Sequence, residues 1–229
     1  IIFVIYAFTL LYALAWAFIT SFKDQFEYMK DKNGLPDVWH FDNYLTAIKS
    51  VSVNDHGMLA MLINSLWYAG GGAVLGTLVS SMVAYVVAKY RFPGRNVLYT
   101  VALLTMMLPI VGAMPSQYKV YTTLGIINSP FMLLSLAGGF GFNFVVLYSY
   151  FKSLPWSYAE AGFLDGASHL TVFMKIMLPQ AINVMGALLI VAGIGLWNDY
   201  MAPILFLRDF PTLSAGLYVY QMQTMRKLN

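Results

Sequence analysis

Long apolar runs parted by short polar ones dominate the chain. No Asp, Glu, Lys or Arg occurs in 1–22, 56–88, 96–118, 120–151 or 176–198. Each run offers the roughly 20 apolar residues that a helix needs to cross hydrocarbon. The pattern predicts an all-α, polytopic bundle of transmembrane helices, with spans at 1–22, 57–88, 97–118, 131–151 and 177–207. In the second span Gly72, Gly76 and Ser80 lie four apart on one helical face, which suits close helix packing. The third is interrupted by Pro109 and Pro115, and such prolines are tolerated where helices pack or line a cavity. Gly138, Gly139 and Gly141 fall near the start of the fourth.

The polar stretches orient these spans. Residues 23–55 hold Gly34, Pro36 and six acids against four lysines, whereas Lys89–Arg95 is a short turn with three basic residues and no acid. Basic residues in short loops favour the cytoplasm, so 89–95 is expected inside. Counting spans then puts 23–55, the loop at 119–130 and everything from Arg208 onward outside, and 152–175 inside. The tail 208–229 reads as mixed sequence. Arg226 and Lys227 would end outside after five spans, and a sixth span beyond Asn229 would return the chain to the cytoplasm.

Composition agrees. Of 229 residues 59% are hydrophobic and 10% charged, against roughly a quarter charged in a soluble domain. Lipid must therefore cover much of the surface. The net charge of +3 does not point to nucleic acid. With no cysteine there is no disulfide, thiolate metal site or cysteine nucleophile. The chain opens on Ile1 rather than Met, and its start reads as trimmed; the first run lacks the basic flank of a signal peptide.

Chemistry-bearing motifs are sparse. There is no G-x-x-x-x-G-K-[ST], no H-E-x-x-H and no G-x-S-x-G. His40, His56 and His169 stand isolated, which suits interfacial or solvated rings better than metal ligands. Asp199 is the sole acid of the fifth run. It reads as a group near the outer end of that span beside Trp197 and Tyr200, with a polar contact to a substrate path as the alternative. No metal site, cofactor site or catalytic set is expected. The chain looks like a conduit whose energy comes from elsewhere.

Residues 152–179 carry the most information. Pro155 suits a helix start, Glu160 lies in the early turns, and Gly166 can take the left-handed conformation that ends a helix. Ser168 can cap the next helix, whose Leu170, Phe173 and Met174 form an apolar stripe, and Pro179 is expected to open the fifth span. By pattern alone this is a pair of short helices that could simply rest on lipid headgroups.

The spelling adds a second reading. Glu160-Ala161-Gly162, three residues, Gly166, nine residues, then Ile176-x-Leu178-Pro179 resembles the cytoplasmic EAA signature of permeases in binding-protein-dependent ABC importers. Gly162 departs from it, since a second Ala is usual there; it is expected to loosen the first short helix by roughly 1 kcal/mol and to leave a small-residue surface intact. Asn64-Ser65-Leu66, Ala84-Tyr85, the 89–95 turn, Asp165-Gly166-Ala167-Ser168, and Trp197-Asn198-Asp199-Tyr200 with Pro203 look like the carbohydrate-uptake, maltose-type (MalG-like) branch. The resemblance implies a MetI-like helical permease in the plasma membrane of a bacterium or archaeon, passing a sugar or oligosaccharide. It implies a second, homologous permease subunit, two ATPase subunits that bind the ATP and Mg, and an extracytoplasmic solute-binding protein. It further implies that Glu160, Ala161, Gly162, Asp165, Gly166, Ala167, Ile176, Leu178 and Pro179 couple the chain to the ATPase. Asn143, Asn198 and Asp199 could bond sugar hydroxyls, and Tyr148 or Trp197 could stack on a pyranose, although helix packing or interface anchoring explains each as well. Peptide, amino acid or oxyanion cargo remains open, as does, more distantly, a secondary transporter.

Overall fold

The computed structural model describes residues 2–107 and 112–228; Pro109 lies outside them. It divides into two units, Ile1–Ser52 and Val53–Asn229.

In the first unit α1 (Ile2–Thr20) is apolar on every side, with mean hydropathy 2.2 and none of it buried. A helix without a polar face needs lipid around it. At its end Phe22 gathers Phe18, Trp39, Phe41 and Tyr44, with ring centroids 5.1–5.5 Å away. The Asn43 amide closes the fold-back by donating to the Ser21 and Lys23 carbonyls at 3.0 and 3.1 Å. Two short helices, α2 (Gln25–Lys30) and α3 (Asp42–Ser50), complete the unit. Between them the Asp31 carboxylate accepts from the amides of Asn33 and Gly34, both at 3.0 Å. Those bonds hold its pKa below the usual aspartate value.

The second unit is built on α4 (Met58–Lys89), a helix of 32 residues with mean hydropathy 1.7. It contains a π turn at Leu66–Gly70. Gly72 lets two leucines onto the helix axis: a Cβ there would lie 2.5 Å from Leu136 Cδ1 and 2.9 Å from Leu196 Cδ1. This is the small-residue packing that the Gly72/Gly76/Ser80 spacing predicts.

The remaining expected spans are divided. Residues 97–118 hold α5 (Arg95–Met107) and the start of α6 (Met114–Thr123), with Gly112 between them at φ 82. Pro115 opens α6, where its missing N–H costs nothing, and Lys119 lies within that helix rather than in a loop. Residues 131–151 start as a 3-10 helix, Pro130–Leu136, lose helical form through 137–141, and resume as α7 (Phe142–Ser153). Farther on come α8 (Ser157–Leu164), α9 (His169–Gln180) and α10 (Ile182–Asn198). Pro179 closes α9 instead of opening a span; a bend of 77° separates α9 from α10. The short α11 (Met201–Phe206) follows, and the tail read as mixed sequence is a helix, α12 (Leu213–Leu228). Among the described residues, α1 and α4 are the unbroken helices long and apolar enough to cross a membrane, with the bent α9–α10 pair as a third crossing if taken together.

A continuous core joins α4, α7, α8, α9 and α10. Phe144, Leu147, Phe151, Ala159, Val172 and Met177 are fully buried in it. Tyr85 of α4 packs between Phe151 and Phe173, at 5.6 and 5.0 Å.

Candidate functional site

The helix pair α8–α9 forms from local rules. After Pro155 the chain turns into α8, which ends in a full Schellman cap. The Ala167 amide donates to the Gly162 carbonyl and the Gly166 amide to that of Phe163, both at 3.0 Å. Gly166 supplies the required left-handed residue at φ 79. Ser168 then caps α9: its Oγ accepts from the Thr171 amide at 3.3 Å. Near its end α9 widens into a π turn at Phe173–Met177, immediately before Leu178–Gln180. A proline cannot donate to the carbonyl four residues back and its ring crowds that carbonyl; the wider turn is how the helix accommodates Pro179.

The pair has two faces. Inward, Ala159 and Val172 are fully buried, and Gly162 is the contact point of the helices. A Cβ at Gly162 would lie 2.6 Å from Ile176 Cδ1 and 3.1 Å from Val172 Cγ2. Gly162, expected to leave a small-residue surface intact, is buried, and what its small size serves is close approach inside the pair. Ile176 also turns inward, and the expected stripe splits, with Phe173 buried while Leu170 and Met174 are 66% and 45% exposed. Outward lie Glu160, Ala161, Asp165, Gly166 and Pro179, beside Leu164 at 89% exposed. Ala167 and Leu178 are half-buried at the margin.

The pair is fastened to the rest of the unit by groups to which the sequence assigned no such role, among them Lys89, Tyr90 and Arg95 of the basic turn and the isolated His169. Lys89 Nζ donates to the Leu154 carbonyl. The Tyr90 hydroxyl shares a 2.8 Å hydrogen bond with His169 Nδ1. Trp156 and His169 flank Tyr90 at 5.8 and 5.5 Å, and Phe163 packs against both of them at 6.0 and 4.8 Å. Arg95 donates to the Ala88 and Tyr90 carbonyls at 3.3 and 3.5 Å, satisfying the end of α4 with a cation where the helix dipole favours one. A basic cluster next to two tyrosines is the sole sequence trace of this fastening, and the partners lie 65 and 79 residues away.

The five candidates for a substrate path separate. Asn143, in the first turn of α7, donates to Thr77 Oγ1 at 3.3 Å and lines a cavity of about 390 Å³ against α4 and α10. Tyr148 is buried, packed at a tilt against Tyr99 at 4.4 Å, with Lys152 Nζ 5.6 Å from the centre of its ring. Trp197 and Asn198 border a different, apolar cleft between α4 and α10. Asn198 spends its amide on the Ile194 carbonyl at 2.8 Å. Asp199 caps α11, accepting from the Met201 and Ala202 amides at 3.0 and 3.2 Å, and takes the Tyr68 hydroxyl at 3.2 Å. No cluster of His, Asp and Glu suited to a metal occurs among the described residues.

Comparison with known proteins bears on this arrangement. The family model for the binding-protein-dependent transport system inner membrane component matches residues 76–225. The diacetylchitobiose uptake system permease protein NgcG of Streptomyces coelicolor is 31% identical over 90% of this chain and 68% of its own length. The arabinooligosaccharides transport system permease protein AraQ of Bacillus subtilis is 30% identical over 80% of this chain and 64% of its own. The sn-glycerol-3-phosphate transport system permease protein UgpE of Salmonella typhi is 29% identical over 76% and 63%. In fold the chain resembles a crystal structure of a bacterial ABC transporter involved in the import of the acidic polysaccharide alginate, with TM-score 0.78 and 24% identity over the whole of this chain and 79% of that one.

Proposed function

Because the chain belongs to the family of binding-protein-dependent transport system inner membrane components, it is the permease part of an ABC importer, and we propose that its cargo is an oligosaccharide. The observation that carries the cargo class is the match to NgcG over nine-tenths of the chain, with AraQ in support. A phosphorylated polyol is the second reading, favoured by the likeness to UgpE.

The helix pair α8–α9 is the element through which the chain meets its ATPase. Its inner face is packed and its outer face combines Leu164, Leu170 and Met174 with Glu160 and Asp165. Apolar side chains this exposed beside acids form a rim suited to a cleft lined by apolar and basic groups. Hydrolysis belongs to the ATPase subunits, which hold the nucleotide and its Mg. The second permease subunit in this reading is homologous but not identical.

The test uses the assembled complex in proteoliposomes with its binding protein. ATP hydrolysis is measured with diacetylchitobiose, arabino-oligosaccharides and sn-glycerol 3-phosphate. Stimulation by an oligosaccharide is expected. Stimulation by glycerol 3-phosphate alone would replace the cargo class, and hydrolysis by this chain on its own would overturn the division of labour.

A further inference from the structure

A cavity with a polar edge opens halfway along the apolar unit. At 1.5 Å per residue, Gly76 lies about 20 Å from the Lys89 end of α4, well inside a 32-residue helix. At that level the chain opposite is not helical. Residues 137–141 run between the 3-10 helix and α7, with Gly141 at φ 123. Ser80 Oγ ties this stretch to α4 by donating to the Gly138 carbonyl at 3.0 Å. The amides of Gly138, Gly139, Phe140 and Gly141 donate no hydrogen bond among the described residues. Beside them lies the 390 Å³ cavity, bounded by Gly76, Ser80, Gly138, Asn143 and Gly195.

Free amides facing lipid would cost several kcal/mol each, so non-helical backbone at this depth survives where it is buried in protein or lines a wet cavity. An apolar packing surface would satisfy neither these amides nor the groups of the Asn143 carboxamide left over from its bond to Thr77. We propose that this cavity is a water-filled part of the solute path, where Asn143 and the backbone amides of Gly138 and Phe140 hydrogen-bond the hydroxyl groups of a polyhydroxylated solute. The stretch offers donors from the backbone and both donor and acceptor from one carboxamide, which suits hydroxyls that donate and accept in turn. Thr77 is a positioning residue, holding the carboxamide through its 3.3 Å bond. This inference rests on the permease reading and deepens it.

The absence of cysteine allows a direct test. Single variants Asn143→Cys and Gly138→Cys are assembled with the partner subunits and treated with a small cationic methanethiosulfonate. Gly138→Cys has room, since a Cβ there meets nothing nearer than the Phe140 carbonyl oxygen at 3.9 Å. Ile190→Cys, at a position 65% exposed that borders the apolar cleft between α4 and α10, is the apolar reference. Both cavity thiols should react at least about tenfold faster than the reference, because an apolar setting that raises a thiol pKa by one unit removes nine-tenths of its thiolate. The oligosaccharide that stimulates hydrolysis should slow them. Cavity thiols as inert as Ile190→Cys overturn the proposal, as does labelling indifferent to a stimulating sugar. If labelling is fast and no sugar stimulates hydrolysis, the wet path stands and the cargo class falls, so the two failures are separable.

Discussion

Gly166 shows how much of the site rests on a single residue. It occupies φ 79, and a Cβ built there meets no atom of the chain within 4 Å. The cost of replacing it is thus conformational, about 1–2 kcal/mol for an L-residue in the left-handed region, rather than steric within the chain. Gly166→Ala is expected to weaken ATPase association about five- to thirtyfold, read from co-purification at graded ATPase concentration. Gly166→Asn should recover most of that loss, since Asn tolerates this conformation. Failure of Asn to rescue would instead place a partner side chain against this corner. At Gly162 the constraint is packing: Gly162→Leu must displace Ile176 and Val172, and a loss of about 1–3 kcal/mol in stability is expected, measured as a lower midpoint of thermal unfolding in detergent. Asp31 gives a pH signature of its own. Its pKa is depressed by the Gly34 and Asn33 amides; the stabilisation is therefore present above the unfolded aspartate pKa and lost as pH falls through the lower folded value. Titration of its carboxyl by NMR should find a midpoint below that of an ordinary aspartate, and Asp31→Asn should abolish the acid-dependent loosening of residues 31–34.

The charge-free runs made the apolar segments legible, and α1 and α4 fill theirs. The divisions of the others were not legible, because Gly112 and Gly141 adopt positive φ only in the context of their neighbours, and a glycine-rich stretch reads equally as packing surface. Likewise Leu170, Phe173 and Met174 could be recognised as apolar, but which of them faces the core depends on where Tyr85 and Phe151 sit. The motif at 160–179 marked the helix pair and its corner; the hydrogen bonds from Lys89 and Tyr90 that hold it had no local signature. Gly72 tests the packing of α4: Gly72→Ile would collide with Leu136 and Leu196. It should cost about 1–3 kcal/mol and lower the yield of folded protein in detergent, whereas Gly70→Ala, with open space around its Cβ, should not.

For the molecule in its membrane, the first question is sidedness. From the basic turn at 89–95, Asn96 is expected in the cytoplasm and Asn33 outside. An impermeant thiol reagent on intact cells should modify Asn33→Cys and spare Asn96→Cys; the reverse result would put α8–α9 on the outer side, away from any ATPase. The bend at Ala181 has a mechanical consequence for a helix pair on the cytoplasmic side. Ala181 is fully buried, and the Tyr150 hydroxyl grips the Gln180 carbonyl at 2.5 Å. The corner is thus a fulcrum, with α9 and α10 as the two arms of a bell crank set at 77°. The long arm, 17 residues, is about 25 Å at 1.5 Å per residue, so a 5° turn about the corner swings its far end through about 2 Å. In the coupling reading, a push on α9 at Leu170 would leave the corner as a tilt of α10, delivered beside Gly195 at the edge of the cavity.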